Sequence, residues 1–339
     1  MALRFIDEVD SDAISASSTI RLALPTVNWL SAWMLHADIT IGVSSGSVTV
    51  VNSTLGAIPL FSRIRMQVEG NPILVDISGK YLDLWSRIDR PSSERFVQTS
   101  TTDDDPWDAL LRYEVAQSEA NPVGSMPMWL YEDATIEVET AAVTTIATGT
   151  GVAVSGTLRL MAEQYDQASQ FVLPDANGPA ANLKVASVLH RLTQFRHDLP
   201  GSGQQSVSLK GYVGDALERL LAVAVNNSAD TYGLIDRISF MRDQQHPLRR
   251  HRTEQMQGEL LAKYGGENMP ITGTYAWDFR RAGQNDIVPL GDKYVARDPH
   301  LLAEVNTSVS LTSPRLDVIV ETLQAVNRNA QAVLAPIAA

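Results

Sequence analysis

The sequence predicts an all-β protein in which one kind of β-domain is used twice. Three observations carry that prediction. Apolar residues alternate at period two along most of the 339 residues, long helical periodicities are few, and segments of the first half recur in the same order in the second. Leu60-Phe61-Ser62-Arg63-Ile64-Arg65-Met66 matches Leu234-Ile235-Asp236-Arg237-Ile238-Ser239-Phe240, an offset of 174 residues (63 to 237), and each copy sets an arginine between apolar residues. Residues 77–82 answer 256–261 at an offset of 179 (79 to 258). Glu137-Val138-Glu139-Thr140 answers Glu304-Val305-Asn306-Thr307 at 167 (137 to 304). The alternating 157–161 lines up with 317–321 at 160 (157 to 317). Offsets that drift while the order holds are what loop insertions and deletions produce.

Each element has its own signal. Residues 33–43 place Leu35, Ala37, Ile39 and Ile41 on one face, the period of a half-buried strand, and 47–51 and 61–68 read the same way. Glu69-Gly70-Asn71-Pro72 is a turn that closes a hairpin into 73–77. Ile77, Tyr81, Leu84, Trp85 and Ile88 then fall at helical spacing, so a short amphipathic helix follows, with Met256, Leu260, Leu261 and Tyr264 as its counterpart. Arg90-Pro91-Ser92-Ser93 ends the first helix and Gly265-Gly266 the second. Strands at 135–143 and 151–161, joined by a Thr-, Ala- and Gly-rich loop at 144–150, are repeated at 302–311 and 316–323 around Thr312-Ser313-Pro314. About 18 residues precede the first apparent strand, and the stretch is acidic.

Length and composition agree with two domains of ordinary size, each able to bury a core. The composition loosens at 165–205, where Pro174-Asp175-Ala176-Asn177-Gly178-Pro179 and Pro200-Gly201-Ser202-Gly203 flank a strand or helix at 183–192. The chain is therefore divided near residue 170, into 1–170 and 171–339. The second part carries the linker and an Ala- and Asn-rich C-terminal arm at 326–339.

Charge narrows the function. With 27 Lys plus Arg against 39 Asp plus Glu, the net charge is −12, so the clustered positive charge that phosphate binding needs is missing. The only dense basic stretch, His246-Pro247-Leu248-Arg249-Arg250-His251-Arg252, reads as a solvated loop or as an arginine set pairing with a neighbouring acidic surface. No cysteine is present, so neither disulfides nor thiolate metal sites contribute. No run approaches the roughly 18 to 20 apolar residues that span a bilayer, and residues 1–10 lack a secretory pattern. A soluble chain made in the cytosol is expected.

Chemistry has little support. His36, His190, His197, His246, His251 and His300 lack the spacing that puts two ligands on one helical face, and read as turn and surface residues. No nucleophile elbow, Walker loop or dinucleotide fingerprint occurs. Asp103, Asp104 and Asp105 offer oxygen ligands of the type calcium takes, or else an Asx-turn or helix cap ahead of 107–113. The carboxylate pairs Glu137 with Glu139 and Glu114 with Glu119 are of the kind glycoside hydrolysis uses, although Glu137 and Glu139 also share the solvated face of a strand. No residue is assigned as catalytic, cofactor-binding or metal-binding.

The order of elements resembles a known family. The segment Leu55-Gly56-Ala57-Ile58-Pro59-Leu60-Phe61-Ser62-Arg63-Ile64, the hairpin at Gly70-Asn71-Pro72 and the helix carrying Trp85 resemble the first barrel of the double jelly-roll major capsid proteins. Gly273-Thr274-Tyr275-Ala276-Trp277-Asp278-Phe279, Asp286-Ile287-Val288-Pro289-Leu290 and the strand at 302–311 resemble the late strands of the second. That family builds tailless icosahedral viruses with an internal membrane, the tectivirus and adenovirus-hexon lineage. The resemblance implies two tandem eight-stranded jelly-roll barrels with short flanking helices, homotrimers of pseudo-hexagonal outline, and a shell of such capsomers with minor capsid, vertex and membrane proteins as further partners. It implies location in the virion, no cofactor, and no direct contact with nucleic acid. A coat above a membrane needs no basic arm. The acidic N-terminus does not match the longer membrane-proximal extension of many relatives. Two other readings stay open: a two-domain β-sandwich that binds or cleaves carbohydrate, and a spike, vertex or tail subunit. Trp33, Phe61, Arg63, Trp85, Arg237, Tyr275, Trp277 and Phe279 are the expected packing and contact positions. Arg63 and Arg237 should play matching roles, either pairing with a carboxylate at a barrel contact or simply facing outward.

Overall fold

The computed structural model describes residues 4–69, 73–89, 99–102, 104–116, 125–165, 188–243, 247–255, 272–281, 284–285, 288–290 and 298–325. The turn at 70–72, the helix end at 90–93, the linker at 166–187 with the division near residue 170, the bulk of the second helix at 256–264 and the arm at 326–339 lie outside them. The chain forms two compact units, one spanning Met1–His190 with the C-terminal end from Ala325, the other Arg191–Gln324.

The first unit holds β1 (Arg4–Ala13), β2 (Thr19–Ala23), β3 (Trp29–Gly42), β4 (Ser45–Val50), β5 (Phe61–Val68), β6 (Val75–Ile77), the helix α1 (Gly79–Asp89), β7 (Pro106–Glu114), β8 (Met126–Pro127), β9 (Ala134–Thr140), β10 (Ala147–Thr150) and β11 (Ala153–Tyr165). One antiparallel sheet runs β1-β11-β3-β7, with β8 on β3; a second path runs β6-β5-β9-β2, and β10 pairs β4. The alternation in the sequence becomes the inner faces. Ile20 and Leu22, Ile64 and Met66, and Ile136 and Val138 are buried from one sheet; Leu35, Ala37 and Ile39, Trp107, Ala109 and Leu111, and Leu158 and Leu160 are buried from the other. Each fully buried large apolar side chain contributes about 1.5–3 kcal/mol. Three expectations are corrected here. Residues 107–113 belong to strand β7, not to a helix behind an Asp cap, because Trp107, Ala109, Leu111 and Tyr113 alternate inward at period two. The loop at 144–150 contains a short strand, β10. The acidic N-terminus is itself a strand, missed because none of its residues is buried and no apolar face marks it.

The second unit holds β12 (Val188–Asp198), which starts at the boundary, then β13 (Gly203–Ser208), β14 (Ala216–Asn226), β15 (Ala229–Asp230), β16 (Ile235–Met241), β17 (Pro247–Arg252), β18 (Thr274–Asp278), β19 (Arg280–Arg281), β20 (Gln284–Asn285), β21 (Val288–Pro289), β22 (His300–Val305) and β23 (Arg315–Ala325). β14 is hydrogen-bonded to β23 on one side and to β15, β18 and β21 on the other, and β23 continues to β12. A four-stranded sheet runs β13-β22-β16-β17. Residues 302–311, expected as one strand, are β22 only as far as Val305; Asn306 ends it by accepting the Ser308 N–H on its side chain.

The repeat survives at the level of backbone pairing. In each unit a 3₁₀ turn, Ile58–Leu60 or Tyr232–Leu234, leads into a strand with a bulge, placed between Phe61 and Arg63 in β5 and between Ile235 and Arg237 in β16. Beyond the bulge Arg63 faces Glu139 and Arg237 faces Glu304. The Leu60 carbonyl accepts from Ala141 N at 2.7 Å and the Leu234 carbonyl from Asn306 N at 2.9 Å. Glu304 therefore corresponds to Glu139, not to Glu137 as the sequence match suggested. The second helix likewise begins at 253, which keeps the offset of 174 from Gly79, so the match at 256–261 is displaced as well. Among the described residues no helix is long and apolar enough to cross a membrane.

Candidate interaction surface

The outward positions of β2, β5, β6 and β9 carry charges because the inward ones are taken by the core. Arg63 binds Asp76 through Nε and Nη2, both at 2.6 Å, and its Nη1 lies 4.0 Å from Glu139. Arg65 reaches Glu137 at 3.0 Å and Glu139 at 3.4 Å, and Arg21 reaches Glu137 at 3.0 Å. Three arginines thus meet three carboxylates. The hydrogen bond to Asp76 holds the Arg63 guanidinium above its ordinary range. A cleft of about 560 Å³ opens on this face, lined by Arg21, Arg65, Gln67, Glu69, Asp133 and Glu137 among others, and none of its described lining residues is aromatic.

The matching positions of the second unit are occupied differently. Arg237 is 43% exposed, against 40% for Arg63, and its nearest carboxylate is Glu304 at 4.0 Å. Both arginines therefore face outward beside an acid, but among the described residues the second has no counterpart of the Arg63–Asp76 pair. Their neighbours differ. The register Arg65↔Asp76 in the first unit is matched by Ser239↔Arg250 in the second, at the same offset of 174, and Arg237 stands directly opposite Arg252. An arginine occupies the place of the acid, in the run of basic residues that the sequence presents and that the structure places on β17. Asp76 and Arg65 were missed in the sequence; their signal was the outward half of each alternation, which a search for apolar periodicity discards.

Other expected positions are structural. Trp33, Phe61, Trp85, Tyr275 and Trp277 are buried, Trp33 against Tyr113 with ring centres 5.5 Å apart and Phe279 against Phe240 at 5.7 Å. The Tyr275 hydroxyl lies 3.2 Å from Thr253 Oγ1 and donates to the Ile235 carbonyl at 3.3 Å; burial raises its pKa above the ordinary tyrosine range. Glu137 and Glu139 are both engaged by guanidinium groups. Glu114 accepts from Arg112 at 2.6 Å, and Glu119 lies outside the described residues. Asp103 also lies outside them. Asp105 accepts from Ser100 Oγ at 2.7 Å, and among the described residues Asp104 and Asp105 are not gathered with further ligands. His190 and His300 are buried, which corrects their reading as surface residues. Glu218 and Glu321 are buried too, and Glu321 is held by the equally buried Arg219 at 2.7 and 3.3 Å. One polar tie was not legible in the sequence. Glu163 on β11 is reached by Arg4 from β1 at 2.8 Å, Ser31 from β3 at 3.0 Å and Arg112 from β7 at 2.6 Å, so the strands of the path β1-β11-β3-β7 meet at one carboxylate.

No protein-family model matches the sequence, and no curated protein matches it. Solved structures do. The STIV MCP aligns with a TM-score of 0.74 over 99% of this chain and 100% of that one, at 13% identity. A chain of the Sulfolobus Turreted Icosahedral Virus aligns at 0.75 over 98% and 96%, at 12% identity. The major capsid protein P2 from Bacteriophage PM2 aligns at 0.59 over 96% and 99%, at 14% identity. The chain has the all-β jelly-roll fold of these capsid proteins.

Proposed function

We propose that the chain is the major capsid protein of an icosahedral virus, a structural subunit made in the host cytoplasm and built into the virion shell as homotrimers of pseudo-hexagonal outline. The observation that carries this reading is the likeness of fold along the whole chain, 99% of it and 100% of the STIV MCP. The repeated turn, bulge and Arg–Glu pairing support one domain type used twice. We therefore keep the division near residue 170 into two eight-stranded barrels, since two similar domains in each of three chains give six similar lattice contacts. Its partners are itself and neighbouring capsomers, together with minor capsid, vertex and membrane proteins. Neither catalysis nor a cofactor has a place in this reading, and an acidic chain suits a shell that does not touch nucleic acid. Carbohydrate binding fits less well. The cleft on the first unit has no described aromatic residue for a sugar ring to stack on, and its Arg21, Arg65 and Glu137 already bind one another. A vertex or spike subunit is disfavoured by the repeat, because fivefold surroundings do not use it.

The test is the mass of the purified chain by light scattering after size exclusion near neutral pH. A species of three times 37.0 kDa is expected. A monomer at every concentration and ionic strength overturns the coat reading and brings glycan screening forward.

A further inference from the structure

We propose that β1 of one chain pairs, edge against edge, with β17 of a second copy, so that neighbouring chains are joined by an acidic strand meeting a basic one. The inference rests on the coat reading and names the contact that would hold the trimer together.

Among the described residues both strands end their sheets. β1 is the last strand of the path β1-β11-β3-β7 and β17 the last of β13-β22-β16-β17. A terminal strand offers a row of backbone donors and acceptors to another chain. β1 is long for an edge, ten residues, and not one of them is buried; Ile6 is 49% exposed. Fixing its backbone costs about 1–2 kcal/mol per residue, and burial within its own chain returns little of that. A second surface over β1 supplies what is missing.

Charge identifies the occupant. β1 carries Asp7, Glu8, Asp10 and Asp12, and its one cation, Arg4, is bound to Glu163. β17 carries Arg249, Arg250, His251 and Arg252 and no acid, in a chain of net charge −12. The second unit has departed from the repeat at this strand. At the register position where β6 has Asp76, β17 has Arg250, and Arg252 stands opposite Arg237. Two like charges directly across a strand pair repel each other, so this edge gains from an anionic neighbour. Like charge disfavours β1 against β1 and β17 against β17. The remaining pairing is head-to-tail, and contacts of that kind close into rings.

Three variants test it by light scattering, each checked for fold by circular dichroism. The first is Asp7→Lys, Glu8→Lys and Asp12→Lys together, leaving Asp10, which accepts the Ala23 N–H at 2.6 Å. The second is Arg249→Glu, Arg250→Glu and Arg252→Glu. The third combines all six. Each reversal alone should shift the population from three-chain to one-chain mass, raising the dissociation constant at least about tenfold, and the combined variant should recover the trimer. The wild-type trimer should also weaken in about 1 M salt, where screening acts over about 3 Å. If the wild type is trimeric and either single reversal leaves its mass unchanged, the pairing is wrong and the coat reading stands. If both reversals dissociate the trimer and the combined variant does not restore it, the contact lies elsewhere and the pairing is again wrong. A wild type that is monomeric throughout removes both readings together.

Discussion

Arg63 and Arg237 occupy one position in two copies of a strand, yet they do different work. Arg63 grips Asp76 with two short bonds; among the described residues Arg237 has one carboxylate, at 4.0 Å. Exposed pairs are worth about 0–1 kcal/mol and bidentate ones lie at the upper end, so Arg63→Ala should lower stability by about 1 kcal/mol and Arg237→Ala by less than about 0.5 kcal/mol in urea unfolding. Equal losses at the two sites would contradict the assignment. Glu163 is the other residue on which a sheet depends. Burial alone would raise its pKa, but its hydrogen bonds to Arg4 and Arg112 and their charges hold it below the ordinary glutamate value of 4.5. The folded carboxyl therefore binds its proton less readily than the unfolded one. Its contribution is complete above about pH 4.5 and is lost as pH falls through the lower folded value. Glu163→Gln leaves Arg112 and Arg4 facing a neutral side chain and should cost on the order of 3 kcal/mol near neutral pH. The variant should also lose less stability than the wild type between pH 5 and pH 3, measured by denaturation at each pH.

Strands were legible where one face is apolar and the other polar. β5 was read with its observed ends, and β3, β9 and β11 to within a few residues, because Ile64 and Met66, Ile136 and Val138, and Leu158 and Leu160 mark inner faces. β1 was not legible, since it buries nothing. β7 was taken for the segment behind a cap because Asp104 and Asp105 drew attention from the alternation of Trp107, Ala109, Leu111 and Tyr113. The outward ion pairs were invisible for the reason that the strands were visible: periodicity finds the core and leaves the polar partner of each arginine to be decided by register. One glycine is also specified by register. Gly156 on β11 has φ of +147°, and a Cβ there would meet the Asp38 carbonyl oxygen of β3 at 2.2 Å and Ile39 Cα at 2.7 Å. Gly156→Ala should cost about 1–3 kcal/mol by strain and overpacking, seen as a lower melting temperature with the secondary structure kept.

At the scale of the whole chain, the sequence carried the all-β fold class, and the turn, bulge and Arg–Glu register shared at an offset of 174 support the repeat read from it. A stability made of two units implies that unfolding need not be a single step, and calorimetry with light scattering on one sample separates any loss of association from loss of each unit. One register position bears on the proposed trimer. Where β6 has Asp76, β17 has Arg250. Under that proposal two similar units would meet their neighbours with similar outlines and unlike charge. A trimer turned by a sixth of a revolution would then fit its place by shape and not by charge, so an outline of sixfold appearance would carry a threefold key.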